Sequence, residues 1–159
     1  MTLQFSNETK ATFDWLVSRY PEKKAALLPT LWLAQKEFGG WLSPEALSYC
    51  ARLLDLPPSK AYSVASFYTM YNLQPVGRYK LEVCRTLSCA MAGAFDIIEY
   101  LEQKLGIACG ETTPDGKFTL ATQECLASCG TGPVMQINGE RYEENLTSTR
   151  VDEILARLP

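Results

Sequence analysis

The chain has 159 residues, with 15 Lys and Arg against 18 Asp and Glu, a net charge of −3 that argues against a nucleic-acid partner. With 47% hydrophobic and 21% charged residues it suits one globular domain or two small ones, and no apolar run approaches the roughly 18 residues of a spanning helix, which excludes direct membrane insertion. The start, Met1-Thr2-Leu3-Gln4-Phe5-Ser6-Asn7-Glu8, has neither a basic region nor an apolar stretch, so nothing marks it for secretion.

Up to about Gln74 the pattern predicts helices only. Phe13, Leu16, Val17 and Tyr20 recur at helical spacing, and Pro21 ends that stripe. A second helix is expected from about Glu22 to Phe38, with either a kink at Pro29 or a true start near it. Ser43-Pro44-Glu45 opens a third: a capping hydroxyl, a proline in the first turn, then a carboxylate near the positive end of the dipole. Leu47, Cys50, Ala51 and Leu54 form its buried face. Pro57-Pro58-Ser59 starts a fourth, in which Ala61, Val64, Ala65 and Tyr68 keep helical spacing. Core packing is expected of Trp15, Trp32, Trp41 and Tyr68. Any exposed remainder of Phe67-Tyr68-Thr69-Met70-Tyr71 would suit a partner surface.

After the turn Gln74-Pro75-Val76-Gly77 the period changes. Tyr79, Leu81 and Val83 alternate with Lys80, Glu82 and Cys84, which is strand spacing. A helix from about Ala92 to Leu105 comes next, with Phe95, Ile98, Leu101 and Leu105 facing inward. Then come a turn at Thr113-Pro114-Asp115-Gly116, a strand from Lys117 to Glu124 and a strand from Val134 to Ile137. An Asn138-Gly139 hairpin turn, a short strand near Arg141-Tyr142 and a helix from about Thr149 to Leu158 complete the chain. The order β-α-β-β-β-α, with a right-handed crossover, matches a thioredoxin-like arrangement. The expected class is α+β: a helical bundle over residues 1–74, then a thioredoxin-like domain over 75–159.

Four of the six cysteines form two short-spaced pairs, Cys84-x4-Cys89 and Cys125-x3-Cys129, in a chain without histidine. Each pair sits where a strand gives way to a loop, with Cys84 and Cys125 at strand ends and Cys89 and Cys129 on the loops after them. Parallel strands of a β-α-β unit end at one edge of the sheet, where open α/β sheets place their sites, so the four sulfurs can converge. Four thiolates around iron and sulfide carry negative charge, which reduction increases, and such charge requires donors aimed at the sulfurs. Thr86-Leu87-Ser88 and Leu126-Ala127-Ser128 offer N–H groups and hydroxyls, while Gly93, Gly130 and Gly132 permit close backbone approach. Arg85, the one cation in either loop, is expected to face solvent.

Other chemistries fit the spacing less well. Structural zinc uses four thiolates but favours C-x2-C knuckles, and a dithiol oxidoreductase needs C-x-x-C; neither spacing is present. Disulfides suit an oxidising compartment. Four sulfurs suit either a [2Fe–2S] or a [4Fe–4S] cluster, and our reading is [2Fe–2S]; a Rieske centre needs two histidines. Cys50 reads as a buried small hydrophobe, and Cys109 has no short-spaced partner. No G-x-G-x-x-G comes after a strand and no phosphate-binding loop occurs, so no residues mark a nicotinamide site.

The stretches Val64-Ala65-Ser66-Phe67-Tyr68, Pro75-Val76-Gly77-Arg78-Tyr79 and Thr113-Pro114-Asp115-Gly116-Lys117-Phe118, with the two cysteine loops and Gly132-Pro133-Val134, carry a resemblance over nearly the whole chain. The chain resembles the small [2Fe–2S] subunit (the E subunit) of respiratory NADH:quinone oxidoreductase, complex I. That resemblance implies a thioredoxin-like ferredoxin domain holding one [2Fe–2S] cluster on Cys84, Cys89, Cys125 and Cys129. It implies docking against the FMN- and NADH-binding subunit, among other peripheral-arm iron–sulfur subunits on the cytoplasmic face of a bacterial membrane. The family extends to diaphorase modules of soluble NAD-linked hydrogenases and formate dehydrogenases.

Overall fold

The computed structural model describes residues 3–159; Met1 and Thr2, the first of the segment read for a secretion signal, lie outside them. The chain divides into two compact units, one ending at Pro75 and one beginning at Val76.

The first unit is helical: α1 (Asn7–Ser18), a 3-10 turn (Lys23–Ala26) running into α2 (Leu27–Glu37), α3 (Pro44–Leu53) and α4 (Pro58–Phe67). Ser6 caps α1 by accepting the Thr9 N–H at 3.3 Å, and Ser43 caps α3 by accepting the Ala46 N–H at 3.2 Å. Pro29 falls in the first turn of α2, where its missing N–H has no partner to lose, so the helix starts near it rather than kinking. Leu31, Ala34, Leu42, Ala46, Cys50 and Ala51 form the fully buried centre of this core.

Several aromatic side chains depart from expectation. Trp15 is exposed, while Trp32 is partly buried against the core. Helix α4 stops at Phe67, so the helical period no longer governs the residues beyond it. Phe67 and Tyr68 stay exposed and Tyr71 is buried, its hydroxyl donating to the Leu28 carbonyl at 2.8 Å. The side chain of Gln35 fixes this segment by donating to the Met70 carbonyl and accepting the Asn72 N–H at 2.7 Å.

The second unit contains β1 (Tyr79–Cys84), a short helix α5 (Leu87–Met91), α6 (Ala94–Leu105), β2 (Phe118–Gln123), β3 (Met135–Ile137), β4 (Arg141–Glu143) and α7 (Ser148–Arg157). The four strands lie in the order β2-β1-β3-β4, with β1 parallel to β2 and antiparallel to β3. Leu81 and Val83 of β1 align with Leu120, Ile137 and Met135 across the sheet and pack with Leu101, Val151 and Ile154 from α6 and α7. Asn138 and Gly139 both take positive φ, 54° and 71°, as a tight hairpin turn between β3 and β4 demands.

Two expectations change in this unit. Phe95 is exposed, because α6 presents Ala94, Ile97 and Leu101 to the core and Phe95 lies off that stripe. Glu82, read as a solvent-facing strand position, is buried and paired with Lys80 at 2.8 Å.

Candidate metal centre

Cys84 is the last residue of β1, and it aligns with Gln123, the last residue of β2. The parallel pairing therefore brings both cysteine loops to one sheet edge. Cys125 lies two residues beyond β2. Cys129 opens a 3-10 turn (Cys129–Thr131), and Cys89 sits within α5 rather than on a loop. That helix is a single turn and a half, too short to display a period, and Gly93 at φ 96° separates it from α6.

Cys84 and Cys89 are buried and their side chains hydrogen-bond to one another. Cys129 is exposed but close enough for its charge to act on Cys89. Cys125 is exposed, its sulfur accepting the Ala127 N–H at 3.3 Å, and its neighbour Glu124 turns its carbonyl to the Cys84 sulfur at 4.0 Å. Gly132 closes the arrangement: a Cβ there would stand 3.3 Å from the Cys89 sulfur. This is the close approach expected of the loop glycines. By contrast, a Cβ on Gly130 would meet nothing within 4 Å.

The electrostatics favour thiolate at Cys84 first. Burial pushes its pKa up, but the backbone N–H groups of Thr86 and Leu126, with the Cys89 thiol and the Thr86 hydroxyl, outweigh burial and leave it below the ordinary value. Cys89 moves the opposite way, raised by burial and then by the charge of Cys84, against a backbone hydrogen bond from Val134. The donors expected from both loops are thus aimed at sulfur, and Val134 adds one from outside them. Arg85 turns to Glu124, with Nε at 3.1 Å from Oε1, so its charge is matched by a carboxylate of the second loop.

A further group was not foreseeable from the motif. Glu144, after β4, accepts hydrogen bonds from Ser128 and, at 2.7 Å, from Thr131, the residues flanking Cys129. Those hydroxyls hold its carboxyl below the usual carboxylate range. Its distance along the chain from the Cys125–Cys129 motif hides it from any local reading.

The donor set suits iron and sulfide. Among the described residues, no three of His, Cys, Asp and Glu gather as ligands of a single metal ion. A binuclear cluster needs no such trio, because bridging sulfides complete each iron and a pair of thiolates per iron suffices.

A mixed sheet with a β-α-β unit, two cysteine pairs at its edge and donors aimed at sulfur together define a thioredoxin-like thiolate protein. The family model described as thioredoxin-like [2Fe-2S] ferredoxin matches residues 13–159. The chain belongs to that family. It is 46% identical over 145 residues to the E subunit of NADH-quinone oxidoreductase from Rickettsia conorii, covering 90% of this chain and 86% of that protein. It is also 46% identical over 156 residues to NADH-quinone oxidoreductase subunit 2 of Thermus thermophilus, covering 97% of this chain and 86% of that protein. A solved NAD+-reducing [NiFe]-hydrogenase in the air-oxidized state shares the fold, with a TM-score of 0.72 at 24% identity over 84% of this chain. The likeness spans 22% of that hydrogenase chain.

Proposed function

We propose that this chain is an electron-transfer subunit of an NADH dehydrogenase module, holding one [2Fe–2S] cluster on Cys84, Cys89, Cys125 and Cys129. The observation that carries the reading is the pairing of β1 with β2, which ends both strands at one edge and sets the cysteine loops side by side. A [2Fe–2S] cluster supplies one-electron chemistry there. The Thr86, Leu126, Ala127 and Val134 N–H groups share the negative charge of the sulfurs, and the Arg85–Glu124 pair adds no net charge beside them.

The relatives named as NADH-quinone oxidoreductase subunits support the choice of assembly. A hydride carries two electrons, so a flavin-bearing NADH-binding partner must part them before this subunit takes one. The chain alone does not turn over NADH in this reading, and its place is the peripheral arm on the cytoplasmic side. Leu87 and Met91, 74% and 82% exposed, stand on the helix that carries Cys89, as surfaces that meet another protein do. Residues 1–74 form the helical domain and 75–159 the ferredoxin domain, a division supported by the two separate cores. No helix among the described residues is long and apolar enough to cross a membrane.

A second reading, a diaphorase subunit of a soluble NAD-linked hydrogenase, is favoured by the structural likeness alone. The identities of 46% and 24% weigh toward the respiratory module.

Replacing Cys125 by Ser tests the site. The variant is expected to lose most of its iron and acid-labile sulfide while keeping its far-ultraviolet dichroism. Full iron and sulfide occupancy in the variant would contradict the ligand assignment.

A further inference from the structure

Ser128 precedes Cys129 and Thr131 lies two residues after it, and the two hydroxyls are 2.8 Å apart. Both turn to the same carboxylate oxygen of Glu144. The backbone ties the two segments together as well. The Asn145 N–H donates to the Thr131 carbonyl at 2.7 Å, and the Leu146 N–H to the Pro133 carbonyl at 3.1 Å. The segment after β4 is therefore laced along the turn that presents Cys129. Hydroxyls rather than cations hold Glu144, so its charge is not cancelled as that of Glu124 is by Arg85.

We propose that Glu144 is the positioning residue of the Cys129 turn, and that its fixed negative charge beside that turn lowers the cluster's reduction potential. The inference rests on the proposed cluster ligation and extends it to a residue outside the cysteine loops. A carboxylate accepts from both hydroxyls at once, which fixes the turn and hence the direction of the Cys129 sulfur. The same charge opposes the arrival of an electron a short distance away.

The test uses the full chain with its cluster. Glu144→Gln keeps an acceptor oxygen and removes the charge, whereas Glu144→Ala removes both. Glu153→Gln, an exposed position on α7, serves as the charge control. The readouts are the midpoint potential, from paramagnetic resonance during a redox titration, and the rate of iron release to a chelator. Glu144→Gln is expected to shift the potential positive while the control does not move. Glu144→Ala is expected to release iron about tenfold faster, the low end of what losing a partner that orients a metal ligand costs.

An unchanged potential in Glu144→Gln overturns the proposal, as does an unchanged release rate in Glu144→Ala. Should the alanine variant fail to fold, the glutamine variant decides alone. Wild-type protein that binds no iron brings down the cluster assignment and this inference with it. An iron-loaded wild type with an indifferent Glu144→Gln brings down only this inference.

Discussion

Three of the six cysteines are buried, and burial acts on them differently. In α3, Cys50 is wholly enclosed and its thiol is pushed up to about 12 by desolvation. Cys84 is also buried, yet its pKa is lowered, because N–H donors converge on its sulfur. The difference between a packing cysteine and a ligand cysteine is thus made by donors, which spacing located and hydropathy would not. For Cys50 the sign of the linkage is definite. The unfolded thiol ionises near its ordinary value of 9.0, while the folded one keeps its proton to about 12. Its contribution to stability is whole below pH 9 and declines as pH rises toward 12, by about 1.4 kcal/mol per pH unit. Urea unfolding between pH 8 and 11 is expected to show a shallower alkaline decline in Cys50→Ala than in wild type. Equal slopes would mean that Cys50 does not hold its proton in the folded state.

At the scale of elements, legibility depends on how local the cause is. The start of α3 was readable because Ser43, Pro44 and Glu45 each act within one turn, and the β3–β4 hairpin because Asn138-Gly139 accepts positive φ. Helix α5 was not, since five residues display no period and what holds them is Gly132 pressed against Cys89 from far along the chain. The inward placement of Phe95 failed for a related reason: one apolar residue beside a stripe does not say which edge of the stripe is buried. Glu143 shows what the sequence hides entirely. It is buried on β4, yet it pairs with Arg141, with Arg150 at 3.2 Å and with Arg157 at 3.9 Å, joining that strand to α7. These arginines are about half exposed, so removing Glu143 returns them to water rather than stranding buried charge. Glu143→Ala is expected to cost about 1–3 kcal/mol in urea unfolding and Arg150→Ala less than about 1, since two arginines remain. A larger loss from Arg150→Ala than from Glu143→Ala would reverse that ranking.

For the whole molecule, what the chain lacks is as instructive as what it holds. Each unit encloses its own apolar core, and the family match from residue 13 to 159 takes in both. The sequence offers no nucleotide-binding glycine motif and no histidine base, so the chemistry collects at the edge where β1 and β2 end. The cysteine spacing and strand order made that edge legible. Glu144, the Val134 donor and the Arg85–Glu124 pair were not, because each joins residues that only the folded sheet brings together. The most direct measurement is iron and sulfide analysis of the purified chain, with low-temperature paramagnetic resonance after dithionite reduction. Equal amounts of iron and acid-labile sulfide, with a one-electron signal that appears only on reduction, are the predicted result. Bound zinc, or an iron-free chain silent after reduction, would contradict the account.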